Sequence, residues 1–86
     1  MDYQIVFTKQ AIRMLQKIPR DIAGSIRQSL DQIAIDPFAL HPGVTRLQNR
    51  DGYRLSISDS RVIYDIQNEN FVILVVKIAF RGEVYR

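Results

Sequence analysis

Arg54, Arg61, Lys77, Arg81 and Tyr85 are the side chains of this sequence whose types and spacing could do chemistry together. Fixed cations stabilise the charge that builds on a phosphate during transfer. A groove of such cations suits a phosphodiester backbone, and an aromatic ring beside it can stack on a base. Lys9, Arg13 and Lys17 form a second set, recurring every fourth residue as one face of a helix does. By spacing alone that face reads as an ordinary solvated one. His41 is by residue type a conventional general base, but it lies in a proline-flanked loop.

What brings the first set together is strand alternation. Tyr53, Leu55 and Ile57 alternate with Arg54, Ser56 and Ser58, and a second apolar run, 61–66, follows Asp59-Ser60. A two-residue loop at Asp59-Ser60 would pair Ser58 with Arg61, Ser56 with Ile63 and Arg54 with Asp65. Directly opposed residues share a face. Arg54, Ser56, Ser58, Arg61 and Asp65 then lie on one face, and Tyr53, Leu55, Ile57, Val62, Tyr64 and Ile66 on the other. A three-residue turn, Asn68 to Asn70, would pair Gln67 with Phe71 and Arg61 with Lys77, asparagine tolerating the left-handed residue such a loop needs. Lys77 and Arg81 then join Arg54 and Arg61, with Tyr85 just beyond the strand end. The plainer alternatives are that Arg54 pairs with Asp65 while the other cations are solvated, and that Tyr85 caps the end of the core.

The elements that must hold this face are legible from periodicity. Residues 3–7 read as a strand and Thr8 as a helix cap. Ala11, Ile12, Leu15 and Ile18 repeat at helical spacing, as do Ile22, Ile26, Leu30 and Ile33. Pro19 separates the two helices and can sit in the first turn of the second, and Asp36-Pro37 ends it. Helices joined so tightly form an antiparallel hairpin. Residues 38–44 hold two prolines and a glycine and read as loop. The expected fold is α+β: an N-terminal strand and an antiparallel helical hairpin packed on one face of a twisted, mostly antiparallel sheet, in a single domain over residues 1–86.

Composition sets the bounds. The 86 residues carry a net charge of +3 with no cysteine and one histidine, so disulfides and thiolate metal sites are excluded and a histidine metal site is not expected. No cofactor is implied. The basic excess leans toward an anionic partner. The apolar run 71–80 is too short to span a bilayer and contains Lys77, and no secretory leader pattern opens the sequence. A cytoplasmic protein with no membrane partner is the expectation.

"DGYRLSISDSRVIYDI" followed by a hydrophobic strand and "FRGEVYR" resembles the RelE/ParE superfamily of bacterial and archaeal toxins. The resemblance covers nearly the whole chain, including the helical hairpin closed by a D-P step. It implies a toxin held inactive by a co-encoded antitoxin. In the RelE-like branch the expected activity is a metal-independent endoribonuclease that cuts mRNA on the ribosome and inhibits translation. The resemblance makes Arg61 the phosphate-stabilising arginine, Arg81 the second catalytic arginine, and Tyr85 the residue that activates the 2′-hydroxyl and stacks on a base. Arg54 and Lys77 would bind RNA on the sheet, and Lys9, Arg13 and Lys17 ribosomal RNA. The sequence departs from the pattern at Ser56 and Gln48, where RelE is basic, and at Phe80, where histidine or lysine is usual. The alternatives are a ParE-like, non-enzymatic inhibitor of gyrase and a degenerate member that only binds its antitoxin.

Overall fold

The computed structural model describes residues 2–81. The order is β1 (Gln4–Phe7), α1 (Lys9–Lys17), α2 (Arg20–Ile35), β2 (Val44–Arg46), β3 (Tyr53–Ile57), β4 (Ser60–Gln67), a 3-10 turn (Asn68–Asn70) and β5 (Val72–Phe80). The strands form one sheet in the order β1-β5-β4-β3-β2, with β1 parallel to β5 and every other pair antiparallel. The helical hairpin covers one face of this twisted sheet, which is the expected α+β architecture.

The core lies between the hairpin and the sheet. Ala11 from α1 and Ile18 just after it, Ile26, Leu30, Ile33 and Ala34 from α2, and Leu55, Val62, Tyr64, Ile73, Val75 and Ile78 from the strands are buried together. Ile12, expected on the core face of α1, is 44% exposed, and Met14 packs against the core instead. Ala11, Met14, Leu15 and Ile18 follow the i, i+3, i+4, i+7 spacing of a core-facing stripe, and Ile12, one residue on from Ala11, lies about 100° round the helix at its margin. Pro19 stands just before the first helical residue of α2, where its missing N–H costs nothing.

Thr8 joins the helices to the sheet. Its Oγ1 accepts the Ala11 N–H at 3.2 Å, capping α1, and donates its own proton to the Val76 carbonyl at 2.7 Å. Two residues further, Gln10 meets the backbone of Ile78 with both ends of its amide, at 3.1 and 3.2 Å. The pairing of β1 with β5 ends at Phe7 and Val75. Thr8 and Gln10 therefore satisfy the β5 edge that β1 leaves uncovered.

The registers differ from expectation in ways that matter. The β3–β4 turn is Ser58-Asp59, not Asp59-Ser60, so Ser56 faces Arg61 and Arg54 faces Ile63. Ser60 enters the strand as a buried residue and donates its hydroxyl to the Ile57 carbonyl, which closes the turn one residue earlier. Asp65 faces Leu74 on β5, so the expected pairing of Arg54 with Asp65 does not form. Ser58 takes φ 53°, left-handed backbone at the first position of the turn. Beyond β4, the left-handed residue is Phe71 rather than an asparagine, with φ 55°. Its ring meets Tyr3 edge-on at 5.4 Å, and the Tyr3 hydroxyl donates to Asn68 Oδ1 in the same turn.

Gln67 consequently faces Val72 rather than Phe71. Continued without interruption, that ladder would bring Lys77 opposite Val62, in the core. A bulge prevents this: Tyr64 faces Val75 while Ile63 faces Lys77, leaving Val76 without an opposite residue. Lys77 is thereby returned to the open face. β2 is not among the expected strands, and only its first residue, Val44, falls in the segment 38–44 that reads as loop. Its three residues pair with β3 from Val44↔Leu55 to Arg46↔Tyr53. Gly43 leads into it with φ +78°, where a Cβ would lie 2.7 Å from the Ser56 carbonyl oxygen.

Candidate nucleic-acid interface

The sheet face turned away from the helices carries Arg54, Arg61 and Lys77, all exposed. Arg81, also exposed, follows the last residue of β5. The register corrections change their neighbours. Arg61 faces Ala79 rather than Lys77, and Lys77 faces Ile63. The longer turn and the bulge draw β5 back along β4. Arg81 therefore ends level with the β3–β4 turn, and its backbone N–H donates to the Asp59 carbonyl at 3.0 Å.

Asp59, Arg61, Ala79, Phe80 and Arg81 line one open cavity of about 280 Å³. Two arginines thus border a single space, with the small Ala79 opposite Arg61. The Arg61 guanidinium is anchored to the turn: one terminal nitrogen donates to the carbonyls of Ser60 at 2.8 Å and Ser58 at 3.2 Å. A guanidinium has five N–H donors, so most of its fork remains available for an anion. Restricted in this way, it presents its charge with little reorganisation, which is what electrostatic stabilisation of a phosphate requires.

Arg54 belongs to the same face but to a different depression, shared with Thr45, Arg46, Leu47 and Gln48. Lys9, Arg13 and Lys17 are exposed along α1, on the helical side of the sheet. One nucleotide could not span both sets, whereas a large RNA could meet each separately. Tyr85 lies outside the described residues. His41 sits in the α2–β2 loop, where its Nε2 meets the Asp36 carbonyl at 2.7 Å. It shares its surroundings with Gln28, Gln32 and Leu55, not with Arg61 or Arg81.

Sequence reasoning treated Asp59 as a turn residue and overlooked Ala79. Their membership of the cavity depends on the exact rung at which β4 meets β3 and β5, which alternation alone does not fix. The usable signal was local: an aspartate two residues before Arg61, and a small residue two before Arg81.

Behind this face, Tyr64 is buried with no partner for its hydroxyl among the described residues. Its ring stacks on Tyr53 at 5.4 Å. Burial, and secondarily the neighbouring Tyr53, push its pKa up to about 12. Tyr64 helps to support the sheet from the core side and does not reach the cavity.

The family model described as the ParE toxin of type II toxin–antitoxin systems matches residues 5–85. None of the curated protein sequences matches. Among solved structures, the RelE–RelB complex from Pyrococcus horikoshii OT3 is similar at 28% identity and TM-score 0.78, over 95% of this chain and 98% of that one. The isolated E. coli RelE toxin is similar at 21% identity and TM-score 0.77, over 96% and 90%. The YoeB/ParE toxin from Agrobacterium tumefaciens gives 14% identity and TM-score 0.76, over 91% and 98%. At those two lower identities the likeness is one of fold.

Proposed function

Because the chain belongs to the ParE toxin family of type II toxin–antitoxin systems, we propose that it is a toxin of the RelE-like kind, an endoribonuclease that cuts mRNA on the ribosome and so inhibits translation in the cytoplasm. The observation that carries this reading is the cavity bordered by both Arg61 and Arg81. In the proposed reaction the 2′-hydroxyl attacks the adjacent phosphorus, leaving a 2′,3′-cyclic phosphate and a 5′-hydroxyl. Arg61 and Arg81 stabilise the charge on the phosphate without needing a metal. Arg54 and Lys77 hold the RNA along the sheet, and Tyr85 supplies an aromatic surface for a base. Lys9, Arg13 and Lys17 dock on ribosomal RNA.

A cognate antitoxin is the second proposed partner, as in the Pyrococcus RelE–RelB complex. Phe38 and Leu40, 62% and 100% exposed, stand beside a cleft that also includes Val44, Arg46 and Tyr53. An amphipathic antitoxin segment with apolar anchors and acidic residues matches that surface and the basic sheet face. Induced expression tests the reading. Growth should arrest, primer extension should reveal new mRNA ends, and co-expressed antitoxin should restore growth. A ParE-like reading is favoured by the description of the matching family model. Under it, transcripts remain intact while purified gyrase is inhibited.

A further inference from the structure

The proposed reaction needs a group to take the proton from the 2′-hydroxyl, and the cavity contains a candidate that the family resemblance does not supply. Of the residues lining it, Asp59, Arg61 and Arg81 carry ionisable side chains. Guanidinium groups do not accept protons in proteins. The carboxylate is therefore the base among the described lining residues. An unperturbed tyrosine, with a pKa near 10, is only about 0.1% phenolate at neutral pH.

The setting of Asp59 is also fixed. Its carbonyl holds the Arg81 N–H at 3.0 Å. The carbonyls on either side of it, those of Ser58 and Ser60, hold the Arg61 guanidinium. Both arginines of the cavity are thus tied to the backbone immediately around this one carboxylate. The residue is exposed and is one of those that line the cavity. Ser58, which precedes it, is held at φ 53°, a conformation that a residue other than glycine adopts at a cost.

Resting on the reading above, we infer that the Asp59 carboxylate is the general base of the cleavage. The O2′–H bond breaks and its proton passes to a carboxylate oxygen of Asp59. The O2′–P bond forms and the P–O5′ bond breaks. The leaving 5′-oxygen takes a proton from water, and the proton held by Asp59 returns to the resulting hydroxide. No oxidant or other co-reactant is needed. Arg61 and Arg81 stabilise the phosphate while Asp59 acts on the nucleophile. Tyr85 serves through its ring.

The test is single-turnover cleavage of mRNA on programmed ribosomes, followed across pH for the wild-type chain, Asp59→Asn, Asp59→Glu and Tyr85→Phe. Binding is followed in parallel to ribosomes carrying mRNA with a 2′-deoxynucleotide at the cut site. Asparagine keeps the backbone carbonyl and the turn preference, so any role in holding Arg81 survives the substitution. Asp59→Asn should cut about 10²–10⁴-fold more slowly and lose the acid limb of the pH–rate profile. It should bind the uncleavable mRNA complex at least as tightly, having lost a negative charge near the phosphate. Asp59→Glu should recover part of the rate, and Tyr85→Phe should lose less than Asp59→Asn. The inference is overturned if Asp59→Asn keeps the wild-type rate and pH profile, if its loss is accounted for by weaker binding, or if Tyr85→Phe is the more damaging change. A wild-type chain that cuts nothing overturns the endoribonuclease reading itself, and that result is visible without any variant.

Discussion

The side-chain amide of Gln10 pairs with the backbone of Ile78 as a neighbouring strand would, accepting from its N–H at 3.1 Å and donating to its carbonyl at 3.2 Å. It does so where β1 has already turned into α1, beside the stretch of β5 that carries Lys77, Ala79 and the approach to Arg81. A helix residue thus completes the sheet at the point where the candidate site begins.

Gln10→Ala removes both bonds at once and leaves the two backbone groups of Ile78 without these partners. Part-buried groups left unmade cost about 1–3 kcal/mol. The expected result in urea unfolding is a loss of stability in that range. Amide exchange should quicken at Ile78 and less at Ile73, which lies where β1 still covers β5.

Tyr64 gives a prediction with a definite pH window. Its folded pKa is raised from 10 to about 12. Between those values the unfolded chain releases the proton and the folded chain keeps it, so the native state binds more protons there. Stability from this group is present below pH 10 and falls as pH rises toward 12, by at most about 1.4 kcal/mol per pH unit. Tyr64→Phe should therefore flatten the alkaline fall in stability. At neutral pH it should be neutral or mildly stabilising, because it removes a buried hydroxyl without a partner. Thermal melts of both proteins from pH 8 to pH 11 check both parts.

The exposed row Lys9, Arg13 and Lys17 predicts a salt effect. If these side chains neutralise ribosomal RNA phosphates, replacing all three by glutamate should weaken ribosome binding and reduce the slope of log affinity against log salt. Each lost phosphate contact accounts for roughly 0.7–0.9 of that slope. Unchanged affinity across a salt series would leave the row as an ordinary solvated face. Cleavage of any RNA that still binds should proceed at the wild-type rate, since α1 lies on the other side of the sheet from Arg61.

How much of this was legible in the sequence depended on which physical constraint was in play. Alternation assigned Arg54, Arg61 and Lys77 to one face and Leu55, Val62 and Tyr64 to the core, and the structure agrees, because an apolar side chain turned outward or a lysine turned inward is costly. The rungs were another matter. Moving the β3–β4 turn from Asp59-Ser60 to Ser58-Asp59 keeps every residue on its face while giving each a new partner, so face patterning could not detect it. The β5 bulge was hidden because Val75 and Val76 are both β-branched and apolar. Either could have been the core residue. Phe71 in left-handed backbone contradicts local preference, and it is the Tyr3 ring, distant in sequence, that accompanies it. β2, three residues long in a segment rich in glycine and proline, carried no alternation to read. Arg61 and Arg81, both singled out in the sequence, line one cavity, whereas Asp59 joins them only with the observed register.

The most direct measurement of the central claim is the cutting of mRNA on programmed ribosomes by Arg61→Ala and Arg81→Ala, each first shown to melt as the wild type does. Loss of one electrostatic group at a transferring phosphate typically costs about 10²–10³ in rate. Each variant is expected to fall by that factor while still binding the antitoxin. A folded double variant that cuts at the wild-type rate would contradict the assignment of this cavity as the site of RNA cleavage.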